Sequence, residues 1–124
     1  MGRTLSILIV EDDALLGVAT AESLTLLGHS ASIVPTVSAA FAALSVTHSF
    51  DVILLDLNLG EERGETIFEK LQLLRIKYPP VIILSAQPDA EVRLAADLVQ
   101  AKQMLTKPAS IARISWAIER AVAV

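Results

Sequence analysis

Apolar residues along the chain fall into two alternating patterns. Short runs rich in Val, Ile and Leu predict strands at residues 6–10, 31–34, 52–55, 81–84 and 103–105. Between them, apolar residues at spacings of three and four predict helices over residues 14–27, 37–47, 64–77, 90–99 and 111–122. The first helix is expected to bury Leu16, Ala19, Thr20, Ser23, Leu24 and Leu27, with Gly28 as its C-terminal cap. Asp13, Asp89 and Ser110 stand at N-cap positions. The last helix carries a core stripe of Ile111, Ile114, Ala117, Ile118 and Ala121, which turns Trp116, flanked by Ala112 and Arg120, outward.

Strands that read as unbroken apolar runs are buried on both faces. Alternating with helices, they predict an α/β fold: a doubly wound, five-stranded parallel sheet between two helical layers. In such sheets ligands bind beyond the carboxyl ends of the strands, where strand order reverses.

Those ends carry the polar chemistry. The first run stops on Glu11, Asp12 and Asp13, and "DVILLDLNLG" takes the third run into Asp56. If these two strands are neighbours, Glu11, Asp12 and Asp56 converge, and packed like charges require a cation. Oxygen donors without His or Cys suit magnesium. The fourth run ends in Ser85-Ala86 and the fifth leads into Lys107-Pro108, adding a hydroxyl and an ammonium. Singly, each has a plain explanation: Asp13 as a helix cap, Lys107 as a solvated lysine, Ser85 as a strand-end hydroxyl, Asn58 as a turn residue.

Composition narrows the function classes. With 53% hydrophobic residues, 124 residues make one ordinary domain with a sizeable core, expected to span residues 1–124 with no effector domain in the chain. No apolar run reaches the roughly 18 residues of a membrane span. A formal charge of -4 offers no basic footprint for nucleic acid. The absence of cysteine fits a reducing cytoplasm.

Taken together, acids after the first and third strands, a hydroxyl after the fourth and Lys-Pro after the fifth resemble the response-regulator receiver domains of two-component signalling. The resemblance covers the chain from Ser6 to the last helix. It implies a flavodoxin-like strand order 2-1-3-4-5, and Asp56 as phosphoacceptor with Ser85 and Lys107 contacting the phosphoryl oxygens. It also implies Mg2+ (or Mn2+) held by Glu11, Asp12, Asp56 and the Asn58 backbone carbonyl. Gly64, eight residues after Asp56, stands where the family commonly has glycine. The resemblance also implies that Asn58 and Gln87 flank the attacking water, with Ala86 leaving its path open, and so set the lifetime of the acyl phosphate. The implied partner is a sensor histidine kinase or phosphotransfer domain, docking at Leu15 and Val18, with an unnamed downstream protein, and the protein is a signalling switch rather than a conventional enzyme.

Four features depart from the family pattern. Met104 replaces the usual switching aromatic, Ala109 follows Pro108 where an aromatic is common, "LGEERG" lacks the usual proline, and "QAKQM" lacks the acids through which receivers pair by their last two helices. A monomer or a non-standard dimer is expected, with Trp116 serving a different contact. Two other readings remain: a phosphorylation-independent interaction module, and a small-substrate phosphohydrolase, which would need a base that His29 and His48, at the opposite strand ends, do not supply.

Overall fold

A computed structural model of the chain describes residues 4–46, 49–86 and 90–123. Its central sheet is built from β1 (Ser6–Val10), β2 (Ser30–Val34), β3 (Val52–Asp56), β6 (Val81–Ser85) and β7 (Gln103–Thr106). All are parallel, in the order β2-β1-β3-β6-β7. A two-stranded antiparallel hairpin, β4 (Asn58–Leu59) with β5 (Glu62–Arg63), follows β3 outside the sheet. With the hairpin set aside, the order is the expected 2-1-3-4-5.

Alternation along the strands builds two cores. Leu8, Val10, Ile53, Leu55, Val81 and Ile83 face α2 (Val37–Val46), α3 (Thr66–Leu73) and α4 (Ala90–Val99). Ile7, Ile9, Val52, Leu54, Ile82 and Leu84 face α1 (Ala14–Leu26) and α5 (Ile111–Val122). Every residue of β3 and β6 is buried, as their unbroken apolar runs require.

Caps fix the helix ends. Asp13 accepts from Leu16 N–H at 3.1 Å, and Ser110 accepts from Arg113 N–H at 3.2 Å. At Gly28 (φ 95°) the chain closes α1 with His29 N–H on Leu24 O and Gly28 N–H on Thr25 O. The same paired bonds end α3 at Arg75 (φ 56°) and α4 at Gln100 (φ 57°), where no glycine announces them.

Several sequence expectations are corrected. The buried face of α1 centres on Gly17 and Leu24 with Thr20, Ala21 and Ser23 partly covered, whereas Leu16, Ala19 and Leu27 are exposed. The reason is close packing: a Cβ on Gly17 would lie 3.2 Å from Ile33 Cγ2, so the glycine turns inward and rotates the helix away from the Leu16 stripe. Helix α3 runs Thr66–Leu73 rather than 64–77, because Gly64 belongs to the loop after the hairpin and Arg75 turns left-handed. Ile111 is 37% exposed and stands outside the α5 core stripe, at the first turn. Thr47, the expected last residue of α2, and the expected cap Asp89 lie outside the described residues, as does His48.

Candidate functional site

Because β1 lies between β2 and β3, its carboxyl end and that of β3 open side by side, and they bring their acids together. Glu11 and Asp56 are buried and Asp12 is exposed, and one carboxylate oxygen from each lies within 4.8 Å of the others. Lys107, delivered by the segment after β7, reaches into this cluster. Its Nζ donates to Asp56 Oδ2 at 2.8 Å and to Glu11 Oε1 at 2.9 Å. The strand ends tie this arrangement together: Lys107 N–H donates to Ser85 O at 2.7 Å, joining the lysine segment to the end of β6. The Lys107–Pro108 peptide is cis.

Asp56 is held from its other side. Asn58 N–H donates to Asp56 Oδ1 at 3.0 Å, leaving Oδ2 toward the lysine. Asn58 is thus seen in contact through its N–H. Buried Ser85 lies at the end of β6, followed by exposed Ala86. Gln87 lies outside the described residues.

The electrostatics follow from burial. Desolvation, reinforced by a hydrogen bond and charge repulsion from Asp56, pushes Glu11 from its ordinary 4.5 up to about 7, against the pull of Lys107. Desolvation alone would lower Lys107, but its hydrogen bonds to Asp56 and Glu11 outweigh this and raise it. The ammonium is therefore charged, and it offsets carboxylates that have lost their water.

A divalent cation fits these donors. Three carboxylates within 4.8 Å, with no His or Cys grouped with them among the described residues, form the hard oxygen set that suits Mg2+ or Mn2+ rather than zinc or copper.

The remaining predicted residues lie outside this cluster. Leu15 is 85% and Val18 47% exposed on α1, next to the acidic tip. Met104 is 44% exposed on β7. Trp116 is 49% exposed with the Arg120 guanidinium 5.0 Å from its ring, so it faces outward. His29 is at the far end of the sheet, where Nδ1 accepts from Leu5 N–H at 3.1 Å, a structural role. Sequence reasoning missed Arg63 and Glu91, which bridge the β4–β5 hairpin to α4 at 3.4 Å. Nothing in residue spacing signals a two-residue strand pair, though "LGEERG" already marked the segment as unusual.

Comparison with known proteins agrees with the geometry. The chain is similar to transcriptional regulatory protein RprY of Bacteroides fragilis (strain YCH46), with 29% identity over 119 residues, covering 96% of this chain and 50% of RprY. It thus spans about half the length of that relative. The non-phosphorylated HemR receiver domain from Leptospira biflexa superposes with a TM-score of 0.82 at 28% identity, over 98% of this chain and 96% of that one. A CheY-like response regulator receiver domain protein from Methanospirillum hungatei JF-1 superposes at 0.85 with 22% identity, over 97% and 94% of the two chains, a likeness of fold. The sequence model of the response regulator receiver domain matches residues 7–119, and the chain therefore belongs to the response regulator receiver domain family of two-component signalling.

Proposed function

We propose that this chain is a phosphorylation-operated switch in which Asp56 accepts a phosphoryl group from a histidine kinase or phosphotransfer domain. The supporting observation is the placement of Lys107 Nζ, 2.8 Å from Asp56 and 2.9 Å from Glu11, where three strand ends meet. A carboxylate meeting an incoming phosphoryl group needs both charges offset, and phosphoryl transfer otherwise asks mainly for positioning.

In the step itself a carboxylate oxygen of Asp56 forms a new O–P bond as the P–N bond of a phosphohistidine, or the P–O bond of a small phosphodonor, breaks. The leaving group keeps the bonding pair: acetate departs as the anion, whereas a histidine nitrogen takes a proton from solvent unless the ring was already protonated. Lys107 supplies fixed positive charge beside the transferring group, and Ser85 offers a hydroxyl to one of its oxygens. Asn58 N–H holds Asp56 Oδ1 and so orients the nucleophile. Magnesium or manganese, held by Glu11, Asp12, Asp56 and the Asn58 carbonyl, supplies further charge neutralisation when bound. The acyl phosphate is a new dianion at the base of α4 and the loop before α5, from which rearrangement can spread. The setting is cytoplasmic, where such kinases act.

Incubation with acetyl phosphate and Mg2+, followed by intact mass measurement, tests the reading. Wild type is expected to gain one phosphoryl mass, Asp56→Asn none, and Asp12→Ala much less. An unmodified Asp56 alongside a phosphoryl adduct elsewhere would show that the nucleophile is misassigned.

A further inference from the structure

Arg63 has no part in the carboxylate, hydroxyl and lysine set, yet it lines a cavity together with two residues of that set's surroundings, Asn58 and Ser85. Asn58 and Arg63 are direct partners across the antiparallel β4–β5 pair, so their side chains share a face. Both line a pocket of about 230 Å³ together with Leu57, Ser85, Ala86 and Glu91. Asn58 is also the residue whose N–H holds Asp56 Oδ1. Arg63 thus lines a cavity together with Ser85 at the end of β6 and with Asn58, the residue that holds the Asp56 carboxylate.

Two acids hold it there. Arg63 Nε lies 3.3 Å and 3.4 Å from the Glu65 carboxylate oxygens, and Nη1 lies 3.4 Å from Glu91 Oε2 on the first turn of α4. These are long for charge-assisted bonds, which usually span about 2.7–2.9 Å. The Glu91 side chain is 75% exposed, so this link is easily exchanged. The other end of α4 is fastened by neutral bonds for which a new negative charge does not compete: Gln72 Nε2 donates to Leu98 O at 2.8 Å and Tyr78 Oη to Val99 O at 3.1 Å. Met104, meanwhile, has no ring to carry a signal from the site.

We infer that Arg63 is a second cation for the phosphoryl group on Asp56, drawn from Glu91 when that dianion forms, so that the first turn of α4 is released while its last turn stays fastened. The inference rests on Asp56 being the phosphoacceptor. Lys107 already offsets Glu11 and Asp56 in the resting site, so the added phosphoryl oxygens are to be paired by charge beyond it, the divalent cation and a further side chain. Among the described residues lining the pocket, Arg63 is the cation, and its planar fork suits phosphoryl oxygens.

The test is calorimetric titration of beryllofluoride, a phosphoryl mimic, with Mg2+ present, into wild type, Arg63→Ala, Glu91→Gln and the double variant. Arg63→Ala is expected to weaken binding about tenfold, in line with loss of a charge-assisted contact. Glu91→Gln, which removes the competing acid, is expected to tighten binding a few-fold. The double variant should match Arg63→Ala, because the competitor then has nothing to compete for. Hydrogen exchange at the first turn of α4 should quicken with beryllofluoride in wild type and not in Arg63→Ala. Equal affinities for wild type and Arg63→Ala, or a Glu91→Gln effect that persists without Arg63, would overturn the inference while leaving Asp56 as phosphoacceptor. Failure of wild type both to bind beryllofluoride and to gain a phosphoryl group would sink the phosphoacceptor reading and this inference with it.

Discussion

A Cβ atom on Gly64 would stand 2.6 Å from the carbonyl oxygen of Asp56 and 2.9 Å from Leu55 Cδ1. Backbone cannot be approached so closely, so the glycine is required by contact rather than by its dihedral angles. Gly64 N–H also donates to Leu57 O at 2.9 Å, tying the loop after the hairpin to the segment beside Asp56. Gly64→Ala is therefore expected to cost about 1–3 kcal/mol and to slow phosphorylation, because the residue that must yield carries the nucleophile. Thermal unfolding and the rate with a small phosphodonor measure both. A variant with wild-type stability and rate would mean that the Asp56 backbone shifts freely.

The Lys107 contacts predict a metal-dependent stability change. Replacing Lys107 by Met leaves Glu11 and Asp56 buried beside one another without their shared cation. Breaking a buried pair from one side is strongly destabilising, so the metal-free variant should lose about 3 kcal/mol. Saturating Mg2+ should restore much of it, because a divalent cation offsets the same two carboxylates. Unfolding curves in chelator and in Mg2+ check this; an equal loss in both would mean that the lysine acts through packing alone.

The raised Glu11 gives a pH dependence of definite sign. Between its ordinary 4.5 and about 7, the folded metal-free protein keeps a proton on Glu11 that the unfolded chain has released. The folded state binds more protons there, so this group makes stability fall as pH rises through that window and level off above it. The contribution is at most about 3 kcal/mol. Glu11→Gln should flatten the slope. Denaturant unfolding in chelator near pH 5 and pH 7.5 tests it, and an unchanged slope in the variant would locate the titration elsewhere.

The sheet and the acidic centre were legible in the sequence because both rest on runs of adjacent residues. Val52–Leu55 is apolar on every residue and so reads as a central strand, and an acid at its end, Asp56, had either to be solvated at the sheet edge or to serve a site; the structure buries it. The buried face of α1 was not legible, since that helix is apolar on nearly all sides and only the contact of Gly17 with Ile33 sets its rotation. Arg63 escaped for a related reason: its meaning comes from pairing with Asn58 and Glu91, which fold topology brings close. The end of α3 was overextended because Arg75 is an ordinary helix former until its φ of 56° is seen.

Arg75 and Gln100 each occupy a left-handed helix terminus that glycine fills at Gly28. A side chain there carries strain that glycine does not. Gln100→Gly, with Ala101 N–H still donating to Ala96 O, is expected to stabilise the protein by about 0.5 kcal/mol after the added flexibility of the unfolded chain is counted. Chemical denaturation resolves such a gain. A loss of stability would mean that the Gln100 side chain makes contacts worth more than the strain.

Helix α1 poses the question of what covers it. Leu15, at 85% exposed, lies in the first turn of α1, three residues after Asp12, and Val18, at 47%, follows one turn on, with Leu26 exposed further along. Single exposed apolar residues are ordinary, but several on one helix form a surface suited to another helix. On the proposed function, a phosphodonor helix would come to this rim to bring its phosphohistidine within reach of Asp56. We therefore expect Leu15→Glu combined with Val18→Glu to slow phosphotransfer from the cognate kinase or phosphotransfer domain by about tenfold or more, as loss of central apolar contacts at an interface does. Acetyl phosphate needs no docking surface, so its rate should stay within about twofold of wild type. Both substitutions lie on exposed positions, and thermal unfolding should change little. Measuring the two donors side by side decides the matter: if both slow equally, the substitutions act on the acidic centre and α1 is not the docking surface.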